Sequence, residues 1–144
     1  MPDIFTVGHS NQSMADLVQL LRAWGVVKLI DIRSNPNSKR QPHFSRQHLE
    51  LTLPEHGIDY GWLGDLLGGM RREGYPAYMK THAFELGLLR LEANAAAPPA
   101  AILCAERNWR HCHRQYVADA LKDRGWSVWH LWDQSTREEH RPLF

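Results

Sequence analysis

The amino-acid sequence predicts an α/β fold: a single domain with a central, mostly parallel sheet of about five strands and helices on both faces. Short β-prone apolar runs alternate with segments whose apolar residues recur at helical spacing. The links between them are short, which is typical of a parallel sheet covered by helices. The 144 residues suffice for one core. We therefore expect one domain over residues 1–132 and a polar C-terminal tail over residues 133–144.

The first half of the chain contains three predicted strands and two predicted helices. Residues 4–7 form an apolar run that stops at a polar turn, and Ser13 can cap a helix that ends at Gly25. Residues 26–32 are nearly all apolar, which is typical of a strand buried on both faces. The elements expected next are a Pro- and Asn-rich loop over residues 33–43, a helix capped by Ser45 and ended or kinked at Pro54, and a strand over residues 58–63.

The second half repeats this alternation after an irregular segment. Residues 64–78 are rich in Gly, Arg and Tyr, and we expect them to form a long loop over the surface. The regular elements expected next are a helix that begins at Thr81 or His82 and runs through Leu91, a strand over residues 101–104, a helix over residues 114–124 and a strand over residues 126–132. The polar tail is expected to dock loosely or to fray.

Composition and charge narrow the class of protein. The net charge of +1 gives no bulk electrostatic signal for nucleic acid, although local basic clusters could bind phosphate. The first ten residues contain no basic segment followed by a long apolar run, so we expect no signal peptide. No apolar stretch reaches the roughly 18 residues of a membrane helix. Two cysteines are too few for a disulfide scaffold. We therefore expect a cytoplasmic protein with reduced thiols and no membrane partner.

Polar clusters follow the predicted strands, and we expect them to share one pocket. The clusters are residues 8–11, 31–35 and 104–106, and the irregular segment 64–78 follows another strand. In open parallel sheets, ligands bind outside the carboxyl ends of the strands. Both cysteines lie within residues 100–114, together with several arginines and histidines. The chemistry of the protein is therefore expected in this stretch.

Cys104 is the central candidate residue, because it lies between a predicted strand end and a helix whose N-terminus can lower the pKa of a thiol. A thiolate at this position would be a nucleophile or a persulfide carrier. The alternative is a buried cysteine that only packs. Cys112 is either a resolving disulfide partner or a packing residue at the helix start, and packing is favoured. Glu106 is either a general base or a carboxylate that holds an arginine or a histidine.

Other polar residues complete the expected pocket. Asp31 and Arg33 are expected to point to opposite faces of the strand end, one binding a ligand while the other holds the loop. The expected proton shuttles are His9 and His113, the expected anion holders are Arg33 and Arg114, and the further ligand-binding residues are Ser10, Asn11, Asp31, Ser34 and Tyr78. Solvated positions are expected for His43, His48, His56 and His140.

Two other functions stay open at this point. A non-catalytic binder of nucleic acid or nucleotide would gather a phosphate-binding rim from Arg33, Lys39, Arg40, Arg71, Arg72 and Arg114, and would stack bases on Trp62, Tyr75 and Tyr78. A metal-dependent hydrolase would use His9, His113 and Cys104, with Arg114 beside them. The spacing of the two cysteines is not a recognised zinc spacing, so we assign no metal ligand and no cofactor. The expected partner is an anionic or sulfur-containing small molecule, or nucleic acid.

Seven motifs, in order along the chain, carry a family resemblance. They are Thr6-Val-Gly-His-Ser-Asn11, Asp31-Ile-Arg-Ser34, Phe44-Ser45, Leu63-Gly64 with Gly68-Gly69, Gly74-Tyr-Pro-Ala-Tyr-Met79, Cys104-Ala-Glu106 and Cys112-His-Arg114. Together they resemble the domain of unknown function 488 family from about Phe5 to Leu131. The resemblance implies the fold and the site rather than a reaction. The chain departs from the family at His111, where members often have arginine, and in a shorter insertion near Gly69.

A second, weaker similarity is to rhodanese-like domains. These also pair an Asp-x-Arg at the end of one strand with a cysteine at the end of a later strand, as Asp31, Arg33 and Cys104 do here. The similarity implies a loop and an arginine-bearing helix after the cysteine.

Overall fold

The fold is described from a computed structural model, in which residues 2–37, 39–96 and 99–142 are described. The strands are β1 (Asp3–Gly8), β2 (Lys28–Asp31), β3 (Asp59–Trp62), β4 (Ala100–Cys104), β5 (Ser127–Leu131) and β6 (Arg137–Glu139). The α-helices are α1 (Met14–Ala23), α2 (Arg46–Thr52), α3 (Gly64–Leu67), α4 (Tyr75–Tyr78), α5 (His82–Asn94) and α6 (Arg114–Asp123). Short 3-10 turns cover Pro42–Phe44, Leu53–His56 and Trp109–His111.

The strands form one sheet in the order β3-β2-β4-β1-β5-β6. All neighbouring pairs are parallel except β5 and β6, which are antiparallel. In the register of the sheet, Cys104 at the end of β4 lies beside Gly8, and Leu103 lies beside Asp31. The ends of β1, β2 and β4 therefore meet at one edge. This arrangement confirms the predicted mostly parallel α/β fold.

Side-chain caps explain where three of the helices begin. Ser13 accepts a hydrogen bond from the backbone N–H of Asp16 at the start of α1, and Ser45 accepts one from His48 at the start of α2. Thr81 does the same for Phe84 at the start of α5. Each cap satisfies a backbone donor that has no partner within the helix. The helix starts expected at Ser13, Ser45 and Thr81 are confirmed.

Helices cover both faces of the sheet, and each face has its own core. On one face, α1 and α2 pack against the sheet through residues such as Leu17 and Leu49. On the other, α5 and α6 pack through residues such as Leu88 and Val117, and the side chain of Cys104 belongs to this second core. Within the described residues, no helix has the length and the apolar composition needed to cross a membrane.

Two parts of the chain differ from the expectation. The segment 64–78, expected to be an irregular surface loop, contains the short helices α3 and α4 and buries Tyr75 and Tyr78 in the core. The tail, expected to dock loosely or to fray, forms β6, because the sheet edge at β5 offers unpaired backbone groups. Residues 143 and 144 of the tail, residue 38 of the loop 33–43, and residues 97 and 98 before β4 lie outside the described residues.

Candidate functional site

An open cavity of about 360 Å³ lies where β2 and β4 end. Its lining residues are Arg33, Ser34, Asn35, Gly69, Met70, Cys104, Ala105, Glu106, His111, Cys112 and His113. Both cysteines of the chain therefore contribute to one cavity. Residues from the polar clusters after β2 and β4 line this cavity. The cluster after β1 is not part of this lining.

The loop that carries Cys104 is attached to the neighbouring strand β1. The backbone N–H of His9 donates to the carbonyl of Cys104 at 3.0 Å, and that of Ser10 donates to Ala105 at 2.8 Å. The loop passes so close to Gly8 that a Cβ at that position would lie 1.7 Å from the carbonyl oxygen of Glu106. Only glycine fits there. Gly8 thus allows the cysteine loop to fold down onto the sheet.

Arg114, the first residue of α6, is buried next to the two cysteines. Only 1% of its surface is exposed. Its Nη2 donates to the carbonyl oxygens of Glu106 and Arg107 at 3.0 and 2.9 Å. Its Nε and Nη1 have no hydrogen-bond partner among the described residues, and no carboxylate there forms an ion pair with it. A buried guanidinium without an anionic partner is costly, so a negative charge nearby is strongly favoured.

The two thiols shift each other's pKa in opposite directions, whereas the charge of Arg114 lowers the pKa of both. Burial by itself raises the pKa of Cys104, but the hydrogen bond with Cys112, the charge of Arg114 and a backbone hydrogen bond with Glu106 outweigh it and lower that pKa. The hydrogen bond with Cys104 and burial raise the pKa of Cys112 far above its ordinary range. Of the two thiols, Cys104 therefore has the lower pKa.

His113 presents an unprotonated nitrogen to Cys112. Its Nε2 donates to the carbonyl oxygen of Ile32 at 2.8 Å, which leaves Nδ1 as the acceptor nitrogen of a neutral ring, 3.8 Å from Sγ of Cys112. Burial lowers the pKa of His113, so the ring stays neutral at neutral pH. Gly69 packs against this ring, and a Cβ there would lie 2.7 Å from Nδ1. His113 can therefore accept a proton inside the cavity.

Asp31 and Arg33 form a closed ion pair instead of pointing to opposite faces. Nη2 and Nε of Arg33 donate to the two carboxylate oxygens of Asp31 at 2.6 and 2.8 Å. Tyr60 donates its hydroxyl to the same carboxylate, and Nη1 of Arg33 lies 3.3 Å from Nε2 of His9. The expectation was wrong because side chains two residues apart along an extended chain lie on the same side.

His9 belongs to this ion-pair cluster and does not line the cavity. Only 3% of its surface is exposed, and its ring packs against Phe44. Its Nδ1 donates to the carbonyl of Ser10 at 2.8 Å, so Nε2 can accept a hydrogen bond from Nη1 of Arg33. Burial lowers the pKa of His9 to about 4. The geometry gives His9 a supporting contact with Arg33.

The other predicted ligand-binding residues are dispersed. Ser34 lines the cavity and accepts the backbone N–H of Met70 at 3.0 Å. Ser10 and Asn11 lie in the turn after β1, outside the lining. Tyr78 is buried and donates its hydroxyl to the carbonyl of Leu66 at 2.6 Å. The structure therefore brings together these predicted residues at the cavity: Arg33, Ser34, Cys104, Glu106 and His113.

Several residues of the expected arginine rim and of the expected stacking surface for bases are engaged in other contacts. Arg33 and Arg114 are buried, and Arg71 lies over the Tyr78 ring at 3.8 Å. Tyr75 and Tyr78 are 6% and 5% exposed, so their rings are occupied by packing. Within residues 2–37, 39–96 and 99–142, no group of three or more His, Cys, Asp and Glu side chains could hold a metal ion.

The comparison with protein families gives one match. The model of the family described as "Domain of unknown function DUF488" matches residues 13–121, which is more than half of the chain. The chain belongs to the DUF488 family. The matched range includes the cavity lining from Arg33 to His113. No curated protein and no solved structure matches the chain. Membership of DUF488 confirms the first resemblance that the motifs indicated.

A buried histidine chain in this DUF488 protein was missed by sequence reasoning. The ring of His130 is hydrogen-bonded to Oγ1 of Thr6 at 2.5 Å and to the ring of His140 at 2.8 Å. The ring of His140 is hydrogen-bonded in turn to a carboxylate oxygen of Asp119 at 2.6 Å. Trp109 stacks on His130 with 4.4 Å between ring centroids. His140 was expected to be solvated but is buried. It directly follows β6, and the pairing of β6 with the sheet places its ring against the Trp109 indole. The polar His130 inside an apolar strand was the available signal.

Proposed function

We propose that this DUF488 protein is a thiol-dependent enzyme in which Cys104 attacks an electrophilic sulfur of a small substrate held in the cavity. The observation that carries the proposal is the buried guanidinium of Arg114. It has no carboxylate partner among the described residues, and it lies beside a thiol whose pKa is lowered. A thiolate at Cys104 is the counter-ion that this arginine otherwise lacks.

The reaction that fits these groups is transfer of a sulfane sulfur. Sγ of Cys104 attacks the outer sulfur of a persulfide in its neutral form, R–S–SH. A bond forms between the two sulfurs, the bond inside the donor breaks, and the electron pair leaves with the thiolate R–S⁻. Cys104 then carries a persulfide that an acceptor thiol can take up. Nδ1 of His113 is available as the base that receives the proton of that acceptor thiol.

A sulfur-containing substrate fits the cavity better than a phosphate. Arg33 lines the cavity, but Asp31 neutralises its charge through two hydrogen bonds. Arg114 is not among the lining residues. The lining instead brings together two thiols, the thioether of Met70 and a neutral imidazole. The resemblance to rhodanese-like domains belongs to this proposal, as does a reducing, cytoplasmic location that keeps both cysteines free.

The experiment that tests the proposal is the rate of alkylation of each cysteine as a function of pH. The folded protein is treated with iodoacetamide, a small reagent, and modification is read by peptide mass spectrometry. We expect Cys104 to react with an apparent pKa below the ordinary thiol value of about 8.5, and Cys112 to stay unmodified in the same range. The urea-unfolded chain is the control, in which both cysteines should react alike. A Cys104 that is inert at every pH, or that titrates like a free thiol, overturns the proposal.

A further inference from the structure

The second cysteine of the cavity has surroundings that packing alone does not require. Cys112 follows the 3-10 turn Trp109–His111 in extended conformation, directly before α6. Its Sγ accepts the backbone N–H of Arg114 at 3.2 Å and lies 3.8 Å from Nδ1 of His113. It packs against the core cluster that contains Cys104, and both thiols line the same cavity. A nucleophile, a base and a buried cation thus surround one sulfur.

We propose that Cys112 is the resolving thiol of the site, which removes a sulfur-bonded adduct from Cys104 by closing a Cys104–Cys112 disulfide. The proposal rests on the proposed function, because it requires a substrate sulfur bound to Cys104. When no acceptor thiol takes up the sulfur, this step lets the protein act as a dithiol–disulfide catalyst whose oxidising substrate is a persulfide or a disulfide. A low-molecular-weight thiol is the reductant that restores the two cysteines.

The proximity of the two thiols determines the order in which they react: Cys104 first and Cys112 second. In the free protein, the hydrogen bond with Cys104 and the charge of Cys104 are among the causes that hold the Cys112 proton in place. Both effects vanish when Cys104 becomes bonded to a substrate sulfur, since its negative charge is lost. Burial still raises the pKa of Cys112, but the two contributions from Cys104 are gone, and the positive charge of Arg114 and the backbone hydrogen bond from Arg114 continue to lower that pKa. Cys112 is therefore activated only after Cys104 has reacted, which prevents it from competing for the substrate.

The resolving step balances without a further oxidant. The adduct is Cys104–S–S–R. The proton of Cys112 passes to Nδ1 of His113, and the Cys112 sulfur attacks Sγ of Cys104. The Cys104–Cys112 bond forms, the bond to the substrate sulfur breaks, and R–S⁻ leaves with the electron pair and takes up the proton. When R is hydrogen, the product is hydrogen sulfide. Two molecules of a small thiol then reduce the disulfide and become a disulfide themselves.

The test uses methyl methanethiosulfonate, a small reagent that transfers a methylthio group to a thiolate. A single equivalent is added to the wild-type chain, to Cys112→Ser and to Cys104→Ser, and the products are read by intact mass and by non-reducing peptide mapping. For the wild type we expect a peptide that joins Cys104 to Cys112, with no methylthio group retained. For Cys112→Ser we expect a stable methylthio group on Cys104. Cys104→Ser should react poorly.

Two outcomes overturn the proposal and are distinguishable. If the wild type keeps the methylthio group on Cys104 as Cys112→Ser does, the resolving role is wrong while the nucleophilic role of Cys104 stands. If Cys104 reacts in neither chain, the proposed function fails as well. Should Cys112→Ser not fold, the wild type alone decides, because the disulfide peptide and the released methanethiol are measured directly, and Cys112→Ala provides a second variant.

Discussion

Two arginines of this chain are almost completely buried, and their charges are compensated in different ways. Arg33 is held by both oxygens of Asp31, with Tyr60 and His9 completing the cluster. Arg114 donates from one nitrogen to two backbone carbonyls, and its other two nitrogens have no partner among the described residues. The two side chains are 5% and 1% exposed, so neither charge is solvated by bulk water.

The difference separates an arginine whose charge is compensated by a carboxylate from one whose charge is not. A buried ion pair whose members satisfy each other has no charge left for a ligand, and removing one member leaves the other uncompensated. A buried cation without a carboxylate lowers the free energy of any anion beside it, and here the neighbouring group that can become an anion is a thiol. Both arginines were expected to hold an anionic ligand. In the function that we propose, Arg114 keeps that ability and Cys104 is the anion.

The largest effect is expected from Asp31→Ala. This change leaves Arg33 buried without its carboxylate, and we expect the free energy of unfolding to fall by about 3–5 kcal/mol. Urea denaturation at neutral pH measures it. The control is Glu50→Ala, which removes the exposed partner of Arg46 on α2. Exposed pairs contribute about 0–1 kcal/mol, so this variant should be close to the wild type. Equal losses in the two variants would contradict the structural role of the Asp31–Arg33 pair.

The next effect is a loss of stability in acid through His9. Burial lowers the pKa of His9 from 6.5 to about 4, so the unfolded chain takes up the proton first. The stability that the neutral ring contributes is complete above pH 6.5 and is lost as the pH falls through about 4. We expect this loss to amount to about 2–3 kcal/mol.

The variant His9→Gln isolates this contribution. Glutamine keeps an acceptor for Arg33 but does not titrate. His113 and His130 also have lowered pKa values because of burial, and they titrate in both chains. The measured quantity is the difference in unfolding free energy between wild type and His9→Gln at several pH values. A difference that does not change between neutral pH and pH 4 would show that His9 is not buried as a neutral ring.

Most of the fold could be predicted, because local sequence patterns determine where most strands and helices begin and end. Apolar runs mark β1, β2 and β4. Ser13, Ser45 and Thr81 are helix caps that bond the backbone N–H three residues later, so each can be recognised from a few neighbouring residues. The strand β6 could not be predicted in this way. Its three polar residues gain their structure from pairing with β5. The structure of the segment 64–78, which is rich in Gly, Arg and Tyr, could not be predicted either, because Tyr75 is ordered by ring contacts with His113 and Tyr116, far along the chain.

The candidate site could be predicted in part. The position of Cys104 at a strand end follows from the parallel sheet, and so does its proximity to Ser34. The partner of a buried charge does not follow from local sequence: nothing near Arg114 indicates that it lacks a carboxylate, and nothing near His140 indicates a bond with His130. The position of Asp31 relative to Arg33 was available from the spacing of two residues, which places both side chains on one side.

The smallest expected change in unfolding free energy comes from a substitution of Arg114. This substitution tests the comparison of the two arginines most directly, because it changes the reactivity of Cys104. Arg114→Met removes the buried charge but keeps a long apolar side chain. We expect the pKa of Cys104 to rise by at least about one unit, which lowers its alkylation rate at neutral pH by roughly tenfold. The loss of unfolding free energy should be smaller than in Asp31→Ala, since the methionine leaves no uncompensated charge. The measurements are the pH profile of iodoacetamide alkylation at Cys104 and urea denaturation of the same samples.

Arg114→Lys is the matched control for this last change. Lysine keeps the positive charge but cannot donate to the carbonyls of Glu106 and Arg107 from a planar group. We expect its alkylation profile to lie between those of the wild type and Arg114→Met. If the arginine only packed, the pH profile of Cys104 would be unchanged in both variants while stability fell. A profile that moves with the charge at residue 114 means that the uncompensated arginine, and not burial or packing, makes Cys104 a thiolate.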